Sequence, residues 1–423
     1  MGMSSLESAT SDVRVDPGNA RGYTRNPQLQ QNFDAAAEHL RQVDGYLDPL
    51  DPQHHRQLRA DLALEGGGVK GIGLAGAVLA LDEAGYSFAR VAGTSAGAIA
   101  ACLIASITKA GKPMTALHDY LSKLEFTNFM PEGKIHHFFD HLGGVPAKIE
   151  DMMILTHQMG LYPGTYLAQW LQPILDELDV RTFADLKITM SDDPGMSLPP
   201  NKQYRLVVHT SDLTRGQLVQ LPWDYDYYGL LADQQDVVGA VRASMSIPFF
   251  FEPVKIEANE ANIDVAMPDG SVIRQHYDAG TVTWTDGGML RNFPIGAFDR
   301  VDGQPARWPT IGIKLSSLET SFAASEACTT AQGVGIRALH TMMNEWDRYN
   351  VQETTAARTI FVDNAGLTAT QFDLTKDQQD QLFVNGVQAA TRFIIEMAHA
   401  GGVPRDTAQA KQLVLKRKAA GGG

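Results

Sequence analysis

The chain has 423 residues, 44% of them hydrophobic and only 20% charged, which fits a globular protein with a sizeable core and excludes a disordered one. Thirty-five lysines and arginines against 49 acids give a net charge of −14, which argues against a nucleic-acid binder working through a basic patch. The two cysteines, Cys102 and Cys328, exclude a disulfide scaffold and the usual four-ligand zinc frameworks.

Residues 1–58 read as a polar N-terminal arm or linker, in which 32–46 predict one helix. From Asp61 the texture changes: Leu62-Ala63-Leu64 predicts a short strand, Gly66-Gly67-Gly68 a turn, and 71–84 a helix. Residues 88–92 predict a second strand broken by Gly93, and 96–108 a second apolar helix in which Cys102 is expected as a buried, reduced thiol. Strand, glycine turn and helix, twice within about 50 residues, is the rhythm of βαβ units and a parallel sheet. Residues 112–180 look mainly helical, interrupted around 136–145 and with a helix over 165–178. Residues 204–210 predict a buried strand, 255–285 an inserted β-hairpin around Pro268-Asp269-Gly270, and 310–315 another core strand. From 321 to 399 the pattern is helical, with a stripe over 382–398 read as core or dimer burial. Lys416-Arg417-Lys418 and the final glycines predict a loose, disordered tail.

No Sec-type signal peptide is expected, because the first 60 residues hold no apolar core. The longest uncharged apolar stretch, 91–107, contains Gly93, Thr94, Ser95 and Gly97 and is too short for a good membrane span. The expectation is a cytoplasmic protein, or one exported without a Sec signal, with peripheral contact to a membrane surface through apolar area.

Three glycine-bearing segments carry the chemistry. Gly93-Thr94-Ser95-Ala96-Gly97 matches G-x-S-x-G at a strand-to-helix junction, where a tight turn projects a serine hydroxyl and small flanking residues let the turn close. Alone, the pentapeptide is equally an ordinary turn with an N-capping serine. Gly66-Gly67-Gly68-Val69-Lys70-Gly71 ends the first strand; a glycine turn there presents successive N–H groups to a developing oxyanion, the alternative being a flexible βα loop. Lys70, a cation at a helix N-terminus, is disfavoured by about 0.3–1 kcal/mol and is read as meeting a carboxylate or an anionic ligand. Asp286-Gly287-Gly288 gains its meaning from Ser95, which needs a base.

Together these motifs resemble the signature of the patatin-like phospholipases. The block Ala243-Ser244-Met245-Ser246-Ile247-Pro248-Phe249-Phe250 and the trailing Asn292 and Pro294 fit the same pattern, over roughly residues 60–320. The resemblance implies a three-layer α/β fold with a central, mostly parallel sheet. It also implies a catalytic domain over 59–320, flanked by the arm and a mostly helical region over 321–423. It makes Ser95 the nucleophile and Asp286 its general base, with an oxyanion hole at Gly66, Gly67 and Gly68 in which the amides of the last two donate and Gly66 shapes the turn. Lys70 is a candidate substrate contact where the family often has arginine, and Ser246 and Pro248 support the site. The implied activity is hydrolysis of acyl esters in membrane lipids, of phospholipase A type, without metal or other cofactor. A neutral-lipid esterase or thioesterase uses the same dyad, and an activating protein partner or a homo-oligomer is left open.

Other readings compete. Gly71-Ile72-Gly73-Leu74-Ala75-Gly76 matches G-x-G-x-x-G, which makes a dinucleotide-binding oxidoreductase the competing enzyme class, but these glycines start several residues past the strand and no ribose-binding acid follows the next one, so they are read as thinning a helix against the sheet. A Ser-His-Asp triad would draw on His340 or His399. His137 and His141 have i, i+4 spacing that suits a metal, yet beside His136, Phe138 and Phe139 they read better as a lid or membrane-facing segment. Trp223, Tyr225, Tyr227 and Tyr228 flank an entrance or pack in the core. An inactive regulatory homologue is the non-enzymatic alternative, which the intact Ser95 and Asp286 oppose.

Overall fold

In a computed structural model, the structure describes residues 27–47, 56–129, 160–190, 192–193, 196–266, 270–300, 302, 304–315, 341, 353–367 and 373–421. In chain order the strands are β1 (Tyr46–Leu47), β2 (Arg56–Leu64), β3 (Tyr86–Thr94), β4 (Gly160–Tyr162), β5 (Leu206–Asp212), β6 (Gln217–Leu221), β7 (Phe249–Phe251), β8 (Val254–Ala258), β9 (Ala261–Ala266), β10 (Val272–Tyr277), β11 (Gly280–Asp286), β12 (Thr310–Lys314) and β13 (Thr359–Phe361). The helices are α1 (Pro27–Asp44), α2 (Ile72–Glu83), α3 (Ala96–Lys109), α4 (Ala116–Leu121), α5 (Thr165–Glu177), α6 (Val237–Ser244), α7 (Gly288–Arg291), α8 (Glu353–Ala356), α9 (Lys376–Ala400) and α10 (Thr407–Gly421).

The central sheet runs β13-β12-β2-β3-β5-β11-β8. The five strands from β13 to β5 are parallel, and β11 and β8 continue the sheet antiparallel. A mostly parallel sheet with helical crossovers is the expected α/β architecture. Its strands are apolar runs because both faces are covered: all seven residues of β5 are buried, as are the last five of β2.

The two helices after the glycine turns are buried on every side. Residues 72–81 of α2 and 96–107 of α3 are all buried, in keeping with their lack of a polar stripe. Cys102, inside α3, is a buried free thiol whose pKa burial pushes up to about 12. The glycines of the G-x-G-x-x-G run serve a different contact from the one expected. A Cβ at Gly76 would stand 2.0 Å from the carbonyl oxygen of Phe383, and one at Gly386 would stand 2.1 Å from that of Gly73. They let α2 and α9 touch backbone to backbone, so the thinning faces the C-terminal helix.

Several expectations need correction. Gly93 lies within β3, not beyond it. Residues 255–285 are not one hairpin: β9 and β10 form it, while β8 and β11 on either side belong to the main sheet. The C-terminal region is not only helical, since Thr359, Ile360 and Phe361 add a strand parallel to β12, too short for periodicity to reveal. Lys416, Arg417 and Lys418 lie in α10; Arg417 pairs with Glu396 and Lys418 with Glu353, while Ala410 and Leu413 are buried. Trp223, Tyr225 and Tyr228 are core residues, with Tyr228 edge-on to Trp284 at 5.0 Å. The segment 136–145 and His340 lie outside the described residues, whereas His399 is exposed in the last turn of α9. Among the described residues no helix is long and apolar enough to cross a membrane.

Candidate active site

The sheet register brings the three motifs to one level. Leu64 pairs with Gly93, Thr94 with His209, and the next residue of β5, Thr210, with Asp286. The glycine turn after β2, the serine after β3 and the aspartate closing β11 therefore meet at one edge of the sheet. That edge lies beyond the carboxyl ends of the parallel strands, where open α/β sheets bind ligands.

Ser95 sits between β3 and α3 with φ 53° and ψ −124°, a conformation sparsely used by any residue with a side chain. Such strain costs on the order of 1–3 kcal/mol and persists only where the surroundings enforce it. Here its N–H donates to Ser244 Oγ at 2.9 Å, and Ser244 in turn donates to the His209 carbonyl at 2.6 Å. Both flanking glycines are obligatory. A Cβ at Gly93 would lie 2.1 Å from the Gly97 oxygen, and one at Gly97 would lie 2.4 Å from the Leu64 oxygen.

Asp286 is fully buried. Its Oδ1 accepts the Gly288 N–H at 2.6 Å, and its own N–H donates to the Ser246 carbonyl at 2.9 Å. Burial pushes its pKa up to about 7, opposed by the Gly288 N–H and by the Ser95 side chain, which stands against the carboxylate. The second oxygen, Oδ2, has no hydrogen bond of regular geometry. A Cβ at Gly287 would meet the His209 oxygen at 2.2 Å, which explains the residue after the aspartate.

The three glycines divide their tasks. Gly66 donates its N–H to the Asn292 carbonyl at 3.0 Å and accepts from Asn292 Nδ2 at 3.0 Å, so its amide is engaged and it shapes the turn. A Cβ on it would stand 3.1 Å from Ser95 Cβ and 2.2 Å from Asn292 Oδ1. Gly68 has φ 57°, the left-handed region, and the turn continues into a single 3₁₀ turn over Gly68–Gly71. Among the described residues no hydrogen bond takes up the N–H of Gly67 or Gly68.

Lys70 does not reach this site as a free cation. Its Nζ donates to the Leu315 carbonyl at 3.4 Å, and it stands beside Glu65, a buried carboxylate that pairs with Lys314 and accepts the Leu315 N–H at 2.6 Å. Burial, with Lys314 adding to it and Glu65 opposing, lowers the pKa of Lys70. The carboxylate partner inferred for this lysine is Glu65, and together they tie the glycine turn to the end of β12.

Several supporting residues escaped the sequence reading. Arg242 bonds Ser246 Oγ and also donates to the carbonyls of Pro163 at 2.6 Å and Glu252 at 2.8 Å, holding the turn whose oxygen anchors Asp286. Thr285 Oγ1 donates to the same Ser246 oxygen at 2.6 Å. His209, fully buried in β5, has its pKa pushed down to about 3 by burial and the nearby Arg291, so it is a neutral structural residue. Arg242 and Ser246 at i, i+4 was the readable signal; His209 and Thr285 carry none apart from the register. A cavity of about 450 Å³ lies elsewhere, between α1, α9 and α10, and none of these residues lines it. Among the described residues no cluster of three or more His, Cys, Asp or Glu could hold a metal.

A sequence model of the patatin-like phospholipase family matches residues 62–299. An uncharacterized protein of Bacillus subtilis (strain 168), YqhO, is 31% identical over 334 residues, 79% of this chain and 97% of that protein. Among solved structures, VipD from Legionella pneumophila superposes with a TM-score of 0.41 at 16% identity, covering 80% of this chain and 67% of that one. The type III effector ExoU of Pseudomonas aeruginosa gives 0.38 at 17% identity, covering 86% of this chain and 60% of its own.

Proposed function

This chain belongs to the patatin-like phospholipase family, and we propose that it hydrolyses the fatty acyl esters of membrane phospholipids, as a phospholipase A, through a Ser95–Asp286 dyad. The observation that carries the reading is the buried Asp286 carboxylate, whose pKa of about 7 suits a general base at neutral pH and whose neighbour is the strained Ser95.

Ser95 Oγ attacks the ester carbonyl while Asp286 takes its proton. The carbonyl oxygen becomes an oxyanion held by the free N–H groups of Gly67 and Gly68, with the N-terminus of α3 adding its dipole. Collapse of the tetrahedral species breaks the ester bond, and protonated Asp286 returns the proton to the departing alkoxide. Water, deprotonated by the same carboxylate, then attacks the acyl-serine; fatty acid leaves and Ser95 is restored. His209, neutral and packed behind the strand ends, takes no proton in this scheme.

Ser95→Ala and Asp286→Ala are each expected to lower fatty-acid release from phosphatidylcholine vesicles by at least 10³-fold with the circular dichroism spectrum unchanged. A fluorophosphonate probe is expected to label wild type at Ser95 and to leave Ser95→Ala unlabelled. Full activity in either variant overturns the dyad. Activity confined to a neutral glyceride or a thioester keeps the dyad and replaces the substrate.

A further inference from the structure

Of the three successive phenylalanines in β7, Phe250 and Phe251 are buried, at 4% and 3% exposure, while Phe249 is 47% exposed. Among the described side chains it is the only phenylalanine, tryptophan or tyrosine in that state. Its backbone is also strained: φ is 67°, the left-handed region, where a bulky residue is an outlier. The fold thus combines a strained backbone with a large apolar ring that is only about half buried within the chain.

The strain is enforced from all sides. The N–H groups of Phe250 and Phe251 both donate to the Ile247 carbonyl, at 3.1 and 2.9 Å. Gly160 pairs with Phe249 and Tyr162 with Phe251 in the small β4–β7 sheet, and Tyr162 meets Phe250 edge-on at 4.9 Å. Arg242 clamps Glu252 just beyond. The same turn begins at Ser246, whose carbonyl receives the Asp286 N–H. Three residues of chain span at most about 11 Å, so the backbone of Phe249 lies within that distance of Ser246, the residue bonded to Asp286. Ser95 and Asp286 themselves are buried, at 3% and 0% exposure.

We infer that Phe249 is the residue with which this site grips the acyl region of an aggregated lipid, its phenyl ring leaving water for the hydrocarbon as the ester approaches Ser95. The inference rests on the lipid-ester reading above and names the contact that would set its preference for lipid assemblies over soluble esters. Contact with hydrocarbon supplies the burial that the free protein withholds, and one aromatic side chain transferred this way is worth about tenfold or more in binding.

The test uses Phe249→Gly, because glycine adopts a φ of 67° without strain and the variant is expected to melt no lower than wild type. Against phosphatidylcholine vesicles it is expected to lose about tenfold or more in rate, while p-nitrophenyl butyrate, a short soluble ester, is cleaved within twofold of wild type. Phe249→Leu is expected to restore most of the vesicle rate. Built on Ser95→Ala, Phe249→Gly is expected to reduce co-sedimentation with the same vesicles, a readout independent of turnover. Unchanged vesicle rate and binding in Phe249→Gly, or equal losses on vesicles and soluble ester, overturn the inference. Persistent ester cleavage by Ser95→Ala instead overturns the dyad, and the sedimentation result then still decides the role of Phe249.

Discussion

A carboxylate with a pKa of about 7 is a liability to the fold at the pH where it would serve as a base. In the unfolded chain Asp286 titrates near the ordinary value of 3.8. Between those two values the native state holds a proton that the unfolded state has released, so stability falls as pH rises from about 4 to 7. At about 1.4 kcal/mol per tenfold change in proton affinity, the accumulated loss is on the order of 4 kcal/mol. Asp286→Asn keeps an acceptor for the Gly288 N–H and removes the charge. It is expected to be inactive yet more stable than wild type at pH 8, with the difference closing by pH 4. Denaturant melts at the two values check this, and a variant less stable at pH 8 refutes it. The same titration predicts that kcat/KM of wild type rises with pH to a plateau above about 7, since only the ionised carboxylate accepts the Ser95 proton. Within the triplet Asp286-Gly287-Gly288, Gly287 is needed sterically, while Gly288 supplies an N–H that any residue but proline would give. The magnitude of the pKa shift was not legible in the sequence, because it depends on what covers the carboxylate.

At the scale of elements, the contact between α2 and α9 shows how an apolar pattern can name a helix and miss its partner. The sequence pattern points Gly73 and Gly76 at the sheet, since a βα unit makes that the nearest surface. The structure sets Gly76 against Phe383 and Gly73 against Gly386, more than 300 residues away in sequence. No local periodicity encodes such a pairing; only the stripe on α9 hinted that it packs in the core. In an exposed helix Gly→Ala gains about 1 kcal/mol in propensity. Here the added methyl would meet a backbone oxygen at 2.0 Å, which a rotamer change cannot relieve. Gly76→Ala is therefore expected to destabilise the protein by about 1–3 kcal/mol net of that gain. A urea melt of the purified variant measures it, and a stabilised Gly76→Ala would show that the helices are free to separate. By contrast the β3–α3 elbow was readable from five residues, because its glycines answer to backbone atoms within the same βαβ unit.

For the whole molecule, the boundaries at residues 58 and 320 that the family resemblance implies are not seams in the packing. One hydrophobic core includes Phe33, Ala37 and Leu40 of α1, the sheet, and Leu382, Phe383, Val387, Ile394 and Met397 of α9. Strand β2 begins at Arg56 and straddles the first boundary, and β13 contributes to the sheet from beyond the second. The ends of the chain are also joined by charge. Arg405 donates to Asp44 through Nε at 3.1 Å and Nη2 at 2.6 Å, and reaches the Arg307 carbonyl at 3.2 Å. Burial raises the pKa of Asp44, and Arg405 is the group that opposes it. Polar composition made the first 58 residues look like a linker because α1 buries only one face, so most of its residues stay hydrophilic. The fragment 59–320 lacks the cover over α2 and the partner strand of β12, leaving an apolar surface and an open sheet edge. Expressed alone, it is expected to aggregate or to lack a cooperative thermal transition, whereas 27–421 is expected to melt as a single unit. A soluble, cooperatively melting 59–320 fragment that reacts with a fluorophosphonate at Ser95 would show that the hydrolase unit stands by itself and that the terminal helices are an addition to it.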